Sequence, residues 1–179
     1  MKKFTESPMD QDQEFEELAK RWPDLMQKSE QEYIGVGHGW HHIIDVLFEM
    51  LSRDVERARY QLKYALENPL NMYASKPLSE LESNLETALK ELPTIVQIKE
   101  KFGGLRVYTN GTTEIHYAYI DFATTMASRT CEVCGVPGES RNTGWVKTLC
   151  NKHHKEREEE NAERMSSVKR VKTVKLIEE

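Results

Sequence analysis

Residues 130–154 read TCEVCGVPGESRNTGWVKTLCNKHH, and this stretch determines how the rest of the chain is interpreted. Cys131 and Cys134 form a Cys-x-x-Cys pair, and after fifteen intervening residues Cys150 and His153 form a Cys-x-x-His pair. Two such pairs are the ligand pattern of a structural zinc site, in which each pair supplies two corners of a tetrahedron. The sequence therefore predicts one Zn²⁺ held by these four residues. His154 is the alternative fourth ligand, because the longer gap after Cys150 is also allowed.

The residues between and after the two pairs predict a treble-clef-like module over residues 130–165. Gly135 permits a tight turn directly after Cys134, and the turn signals at Pro137-Gly138 and Gly144 predict a short hairpin. A charged helix is expected to follow Cys150. Four protein ligands leave no coordination position for water or substrate, so the zinc is expected to be structural rather than catalytic.

The cysteine content indicates a reducing compartment. All three cysteines of the 179-residue chain lie between positions 131 and 150, and an odd, clustered set disfavours a disulfide framework. The sequence contains no apolar run that could span a bilayer and opens without a signal peptide. We therefore expect a soluble cytoplasmic protein without a membrane partner.

Charge is distributed unevenly along the chain, although the net charge is -5. Residues 97–179 carry 14 Lys and Arg against 12 Asp and Glu, whereas residues 1–96 carry 11 against 18. A polyanion is therefore expected to meet only the C-terminal half.

Two apolar seams at helical spacing dominate the N-terminal half. The first predicts a long helix over residues 40–67, and the second predicts a helix over residues 78–92. The first seam consists of Ile44, Phe48, Leu51, Val55, Ala58, Leu62 and Ala65. An antiparallel helical hairpin is the expected packing, and a homodimer through the 40–67 helix is the alternative. A further helix is predicted over residues 14–26.

After Pro93 the sequence pattern becomes typical of β-strands. Two β-rich runs, residues 94–99 and 105–109, flank Gly103-Gly104 and predict a hairpin, and a helix is expected over residues 115–126. The end of the chain, residues 168–177, fits either an added strand or a loose basic tail.

These elements together predict an α+β fold. It would comprise a helical region over residues 1–93, a hairpin and helix over residues 94–129, the zinc module over residues 130–165 and a basic tail over residues 166–179. The four parts are expected to form one integrated unit.

Enzyme motifs are mostly lacking. The zinc hairpin, residues 135–149, contains no histidine or aspartate, which argues against a treble-clef nuclease. The deaminase order of motifs and the His-Glu-x-x-His motif are also absent. We therefore expect no catalytic residue.

His38, His41 and His42 form a second group that could bind a metal or act in acid–base chemistry. The glycines before them, at positions 35, 37 and 39, could also cradle an anion at a helix N-terminus. The alternative is a flexible helix entry with surface histidines. His116 is expected at the boundary of a helix's apolar face.

Basic and aromatic residues cluster on the two predicted hairpins. If the hairpins are neighbours, they form a cationic surface for a phosphate-bearing ligand, a nucleotide or a nucleic-acid strand. The candidate ligand-binding residues are Lys99, Lys101, Gly103, Gly104, Arg106, Arg141 and Trp145. The alternative is that Phe102, Tyr108 and Trp145 belong to the core.

Three segments resemble a group of small proteins of tailed bacteriophages and prophages. They are QIKEKFGGLR at residues 97–106, TCEVCG at residues 130–135, and Gly144-Trp145 with Thr148-Leu149-Cys150; Gly39-Trp40 is also similar. The resemblance implies a phage origin. If the protein is encoded by a phage, it is expected in the cytoplasm of the host cell. It implies no particular activity.

We therefore expect a non-catalytic, zinc-stabilised phage accessory protein that engages a host component. That component would be a protein complex or an anionic nucleotide signal of host defence. A nucleic-acid-binding module is the first alternative, and an enzyme of unrecognised type that uses the His38–His42 region is the second.

Overall fold

The structure is a computed structural model that describes residues 11–26, 33–69, 76–142 and 144–177. It has the predicted α+β architecture, with N-terminal helices, a small sheet and a Cys/His cluster towards the C-terminus. The helices are α1 Gln11–Arg21, α2 His41–Glu67, α3 Leu78–Glu91, α4 Glu114–Ala127 and α5 Asn151–Ile177. The strands are β1 Tyr33–Gly35, β2 Thr94–Lys101, β3 Gly104–Asn110, β4 Glu139–Asn142 and β5 Val146–Leu149.

The strands form two small sheets. In the first, β2 pairs antiparallel with β3 across the predicted Gly103-Gly104 turn, and β1 pairs parallel with β2 on its other side. In the second, β4 pairs antiparallel with β5, as the turn signals predicted. Strand β1 was not predicted, because a three-residue strand ending in glycine carries no periodic signal.

Helix α2 forms the centre of the hydrophobic core. Its seam is buried from Ile44 to Ala58 and packs with Trp40, the inner side chains of the β2–β3 hairpin, and α4. Burying a large apolar side chain contributes about 1.5–3 kcal/mol, so this seam is the main hydrophobic support of the fold.

The predicted helical hairpin of α2 and α3 is present, but its apolar contact is shallow. The second half of the α2 seam, Leu62 and Ala65, is half-buried, and Leu81 is the one buried residue assigned to α3. The α3 seam therefore covers the far end of α2 and does not enter the main core.

Two helices end at positions that differ from the sequence prediction. Helix α1 ends at Arg21 rather than extending to residue 26, because Pro23 disfavours helical geometry at Trp22. Helix α5 continues to Ile177, so the expected strand or loose tail over residues 168–177 is wrong. Its charged first half is rich in Glu, Lys and Arg, which favour helix, and an established helix extends at little further cost.

None of the described helices is both long enough and apolar enough to cross a bilayer.

His116 is buried at the start of α4, which corrects its expected boundary position. Thr113 is the N-cap residue, and its backbone N–H donates to His116 Nδ1 at 3.3 Å, which is one half of a capping box. Burial lowers the pKa of His116, although the carboxylates of Asp54 and Glu91 oppose the shift.

Because the pKa of His116 is lower in the folded state, the unfolded chain takes up a proton first as the pH falls below about 6.5. We expect the free energy of unfolding to decrease through that range. The substitution His116→Gln keeps a capping side chain and should reduce the slope, as measured by urea unfolding between about pH 7.5 and 5.5. Identical slopes for the two proteins would contradict this role.

Candidate metal centre

The four predicted zinc ligands come together in the fold. One donor atom from each of Cys131, Cys134, Cys150 and His153 lies within 4.8 Å of all the others. His153 Nδ1 is 3.4 Å from Cys131 Sγ and 3.3 Å from Cys150 Sγ, and the sulfurs of Cys134 and Cys150 are 3.9 Å apart. Zinc bonds of about 2.0–2.3 Å place tetrahedral donors about 3.5–3.8 Å apart. The donor spacing therefore fits one zinc ion.

The sulfur distances also exclude a disulfide. All three cysteines are free, and the 3.9 Å between Cys134 Sγ and Cys150 Sγ is far longer than the S–S bond of about 2.05 Å. Three sulfurs and one imidazole would complete a tetrahedral zinc shell. Such a shell leaves no coordination position for a reacting molecule, as in structural zinc sites.

His153, rather than His154, faces the sulfurs. The other ring nitrogen of His153, Nε2, lies 3.6 Å from a carboxylate oxygen of Glu156, which favours the tautomer that leaves Nδ1 free for the metal. His154 turns its Nε2 towards Glu158, at 3.8 Å. Both histidines lie on the first turn of α5, but one residue of separation points them in different directions.

The first cysteine pair sits in a tight knuckle. Gly135 has φ of +75°, in the left-handed region that glycine adopts at little cost, and its N–H donates to the carbonyl of Cys131 at 2.9 Å. The N–H of Cys131 donates in turn to the carbonyl of Val136 at 2.8 Å. These bonds form the tight turn that carries Cys131 and Cys134.

The backbone also prepares one thiol for metal binding. A hydrogen bond from the His153 backbone N–H, with smaller contributions from the neighbouring thiols and imidazole, lowers the pKa of Cys150 to about 7. Burial and the neighbouring thiols raise the pKa of Cys134. Since the thiolate is the metal ligand, Cys150 is more ready than Cys134 to bind zinc at neutral pH.

The glycine-rich segment before α2 packs directly on this knuckle. The N–H of Gly39 donates to the carbonyl of Glu132 at 2.9 Å, and Trp40 Nε1 donates to the carbonyl of Thr130 at 2.8 Å. A Cβ on Gly39 would lie 2.1 Å from the carbonyl oxygen of Cys131, and one on Gly37 would lie 2.1 Å from that of Glu132. These two positions therefore need glycine because the backbone approaches so closely.

This contact corrects the expectation of an anion cradle at residues 35–39. The N–H of Gly39 is already bonded to the knuckle, and the glycines serve close packing. In the described part of the chain, the side chains close enough to hold a metal form a single group, which His38, His41 and His42 do not join.

The two hairpins are neighbours, a point that the sequence alone did not decide. Thr148 Oγ1 donates to the carbonyl of Gly103 at 2.6 Å, and both residues are buried. Gly103 is thus packed against the zinc hairpin rather than presented to a ligand. Its φ of +72° also requires glycine.

A buried ion network lies at the same junction. Lys147 on β5 binds Glu100 of β2 at 3.1 Å and Glu132 of the knuckle at 2.5 Å. The Glu132 side chain is 8% exposed, and its burial raises the pKa of its carboxyl although Lys147 opposes the shift. Lys147 is therefore occupied by two carboxylates. The sequence did not predict this network, because none of the three residues carries a local signal.

The candidate ligand-binding residues separate into two sets. Lys99, Lys101 and Arg106 lie on the outer side of the β2–β3 hairpin. Arg141 is engaged by Glu139 at 2.6 Å and by Asn151. Phe102, Tyr108 and Trp145 are all exposed, so the expectation that they belong to the core is wrong.

The chain matches no protein-family model, no curated protein and no solved structure.

The two histidines offer a matched pair of variants. His153→Ala removes one of four ligands and should weaken zinc binding by about 100-fold or more, whereas His154→Ala should bind like the parent. Competition with a chromogenic chelator measures both affinities. The ligand assignment is wrong if His154→Ala loses zinc and His153→Ala keeps it.

The close contact between Gly39 and the knuckle predicts that position 39 does not tolerate a larger residue. Gly39→Ala forces backbone apart and should lower the free energy of unfolding by about 3 kcal/mol. The control is Gly104→Ala, whose Cβ would meet first the movable end of Arg106, at 3.0 Å. Denaturant unfolding of both zinc-loaded variants gives the comparison, and an equal loss in both would refute the packing role of Gly39.

Proposed function

We propose that the chain is a non-catalytic, zinc-stabilised binding protein that engages an anionic ligand through one face of the β2–β3 hairpin. We define this open sheet face by its five side chains, Gln97, Lys99, Lys101, Arg106 and Tyr108. The observation that carries the proposal is its charge, because the face presents three cations and no carboxylate.

The register of the hairpin explains this charge. Side chains alternate between faces along a strand, and directly paired residues share a face. Ile98 and Leu105 are fully buried, so Glu100, which pairs with Leu105, belongs to the inner face and reaches Lys147 there. Lys99 pairs with Arg106 on the opposite face. The one acid of β2 and β3 is thus removed from the open sheet face.

Contacts within the open sheet face hold its side chains outward. Lys99 Nζ donates to Gln97 Oε1 at 2.6 Å and lies 4.8 Å from the centre of the Tyr108 ring. Arg106 leans over Gly104, where a side chain would lie 3.0 Å from its guanidinium. Because Gly104 has no side chain, it leaves room for the Arg106 guanidinium. Gly104 therefore supports the open sheet face in this way, rather than by contact with the ligand.

The zinc module would act as the support of this face. We propose a treble-clef-like arrangement, on the basis of the order of knuckle, β4–β5 hairpin and α5 helix. Zinc would hold the knuckle and β5 together, while Lys147 and Thr148 hold the hairpin turn and keep Glu100 turned inward.

We further propose that the chain acts as a phage accessory protein on a host component. The support is the sequence resemblance, whose segments include pairs in direct contact: Gly39 with the knuckle, and Gly103 with Thr148. The component would offer negative charge to the open sheet face, as an acidic protein surface or a nucleotide signal does.

Anion binding is tested by retention on heparin in a salt gradient. A variant with Lys99→Gln, Lys101→Gln and Arg106→Gln should elute at clearly lower salt, because the open sheet face loses its charge. The control carries Lys20→Gln, Arg57→Gln and Lys63→Gln, which remove the same charge from exposed helical positions. We expect the control to elute like the parent.

Equal elution of the two variants would place anion binding elsewhere. No retention of the parent protein would refute the proposed function. Measured zinc content confirms that each variant is folded around its metal.

A further inference from the structure

Three exposed aromatic side chains lie at or beside the open sheet face. Tyr108 is 44% exposed, Phe102 67% and Trp145 58%. Large aromatic side chains usually bury much of their surface, and exposed groups of them mark binding sites. A surface that only attracted anions would need the cations but not these rings.

Two of the rings are paired with cations. Lys99 Nζ lies 4.8 Å from the centre of the Tyr108 ring, and Lys101 Nζ lies 5.4 Å from that of Phe102. The ammonium covers one face of each ring and can meet a phosphate, and a base would stack on the opposite face. This combination is the one by which proteins bind single-stranded nucleic acid.

The spacing of the pairs indicates a strand rather than a single nucleotide. Phe102 lies in the hairpin turn, and Tyr108 lies four residues along β3 from Gly104. At about 3.3 Å per residue, this separation is about 13 Å. Stacked nucleotides advance about 3.4 Å each, so this separation is about four steps, and about five nucleotides are needed to reach both pairs. A mononucleotide would meet one ring.

Trp145 extends the same end of the surface. It precedes Val146, whose Cγ1 would lie 3.2 Å from a Cβ on Gly103, the neighbour of Phe102. The backbone of Trp145 therefore lies close to the Phe102 turn, and its side chain is exposed. A strand that passes Tyr108 and Phe102 would continue towards it.

We propose that the open sheet face, with Phe102 and Trp145, binds single-stranded nucleic acid of about five or more nucleotides. Bases stack on Tyr108 and Phe102, and phosphates lie against Lys99, Lys101 and Arg106. The inference rests on the proposed anion-binding function of this face. Single strands are favoured over duplex because bases can stack on protein rings only when they are not stacked within a duplex.

The charge sets the expected salt dependence. Three cations that meet three phosphates of a single strand give a slope of about -2 in log affinity against log salt. This slope is modest, as suits a protein whose net charge is -5 and whose cations are concentrated in one place.

The test is fluorescence anisotropy with the zinc-loaded full chain and labelled oligothymidylates and oligouridylates. Lengths run from about two to about twelve nucleotides, with a duplex of the longest for comparison. We expect affinity to rise steeply up to about five nucleotides and then slowly, with weak binding to duplex. The deoxy and ribo series show which nucleic acid is preferred.

Aromatic variants separate this inference from anion binding as such. Phe102→Leu should weaken oligonucleotide binding by about tenfold or more while leaving heparin retention unchanged, and Tyr108→Leu should weaken oligonucleotide binding by a similar factor. Tyr60→Leu, which changes a 69% exposed tyrosine on α2, is the matched control and should bind like the parent.

Affinity independent of length, equal binding to duplex, or unchanged binding by both aromatic variants would overturn the inference. If heparin retention still depended on the three cations, the anion-binding function would stand, and an acidic protein surface would be the better ligand. If the parent bound neither heparin nor oligonucleotides, both proposals would fail.

Discussion

The junction at Glu132, beside the predicted zinc ligand Cys131, connects the main elements of the structure. The carbonyl of Glu132 accepts from Gly39 at the entry to α2, and its N–H donates to Thr148 of β5 at 2.9 Å. Its carboxylate binds Lys147, which also binds Glu100 of the sheet. One residue thus connects the long helix, the zinc hairpin and the β2–β3 hairpin. Structural zinc binding contributes about 10–16 kcal/mol in small zinc modules, which is comparable to the whole stability of a domain of about 5–15 kcal/mol.

The ion network at this junction is better explained by where it holds charged side chains than by a gain in the stability of the fold. Desolvating charged groups costs several kcal/mol each, so a buried pair contributes little net stability compared with apolar packing. The register of the β2–β3 hairpin places Glu100 on the inner face, away from Lys99, Lys101 and Arg106. Lys147 then gives Glu100 and Glu132 a shared cation on that side of the sheet.

Local patterns predicted the parts of the fold that depend on local chemistry. Ligand type and spacing predicted the Cys/His cluster, and the helical periodicity from Ile44 to Ala65 predicted α2. The contacts between distant parts were not predicted, because Gly39 and Glu132, or Gly103 and Thr148, are far apart in the chain and show no periodicity. The exposure of Phe102, Tyr108 and Trp145 was likewise missed, since an aromatic residue in a β-rich run fits a core as well as a surface.

Hydrogen exchange of individual backbone amides, measured with zinc and after its removal by a chelator, tests most directly whether the metal holds this junction. The N–H groups of Gly39 and Glu132 should exchange slowly in the zinc-loaded protein and much faster without metal, because both bonds depend on the position of the knuckle. Slow exchange at Gly39 in protein shown to be free of metal would contradict the claim that zinc holds the helix entry and the two hairpins together.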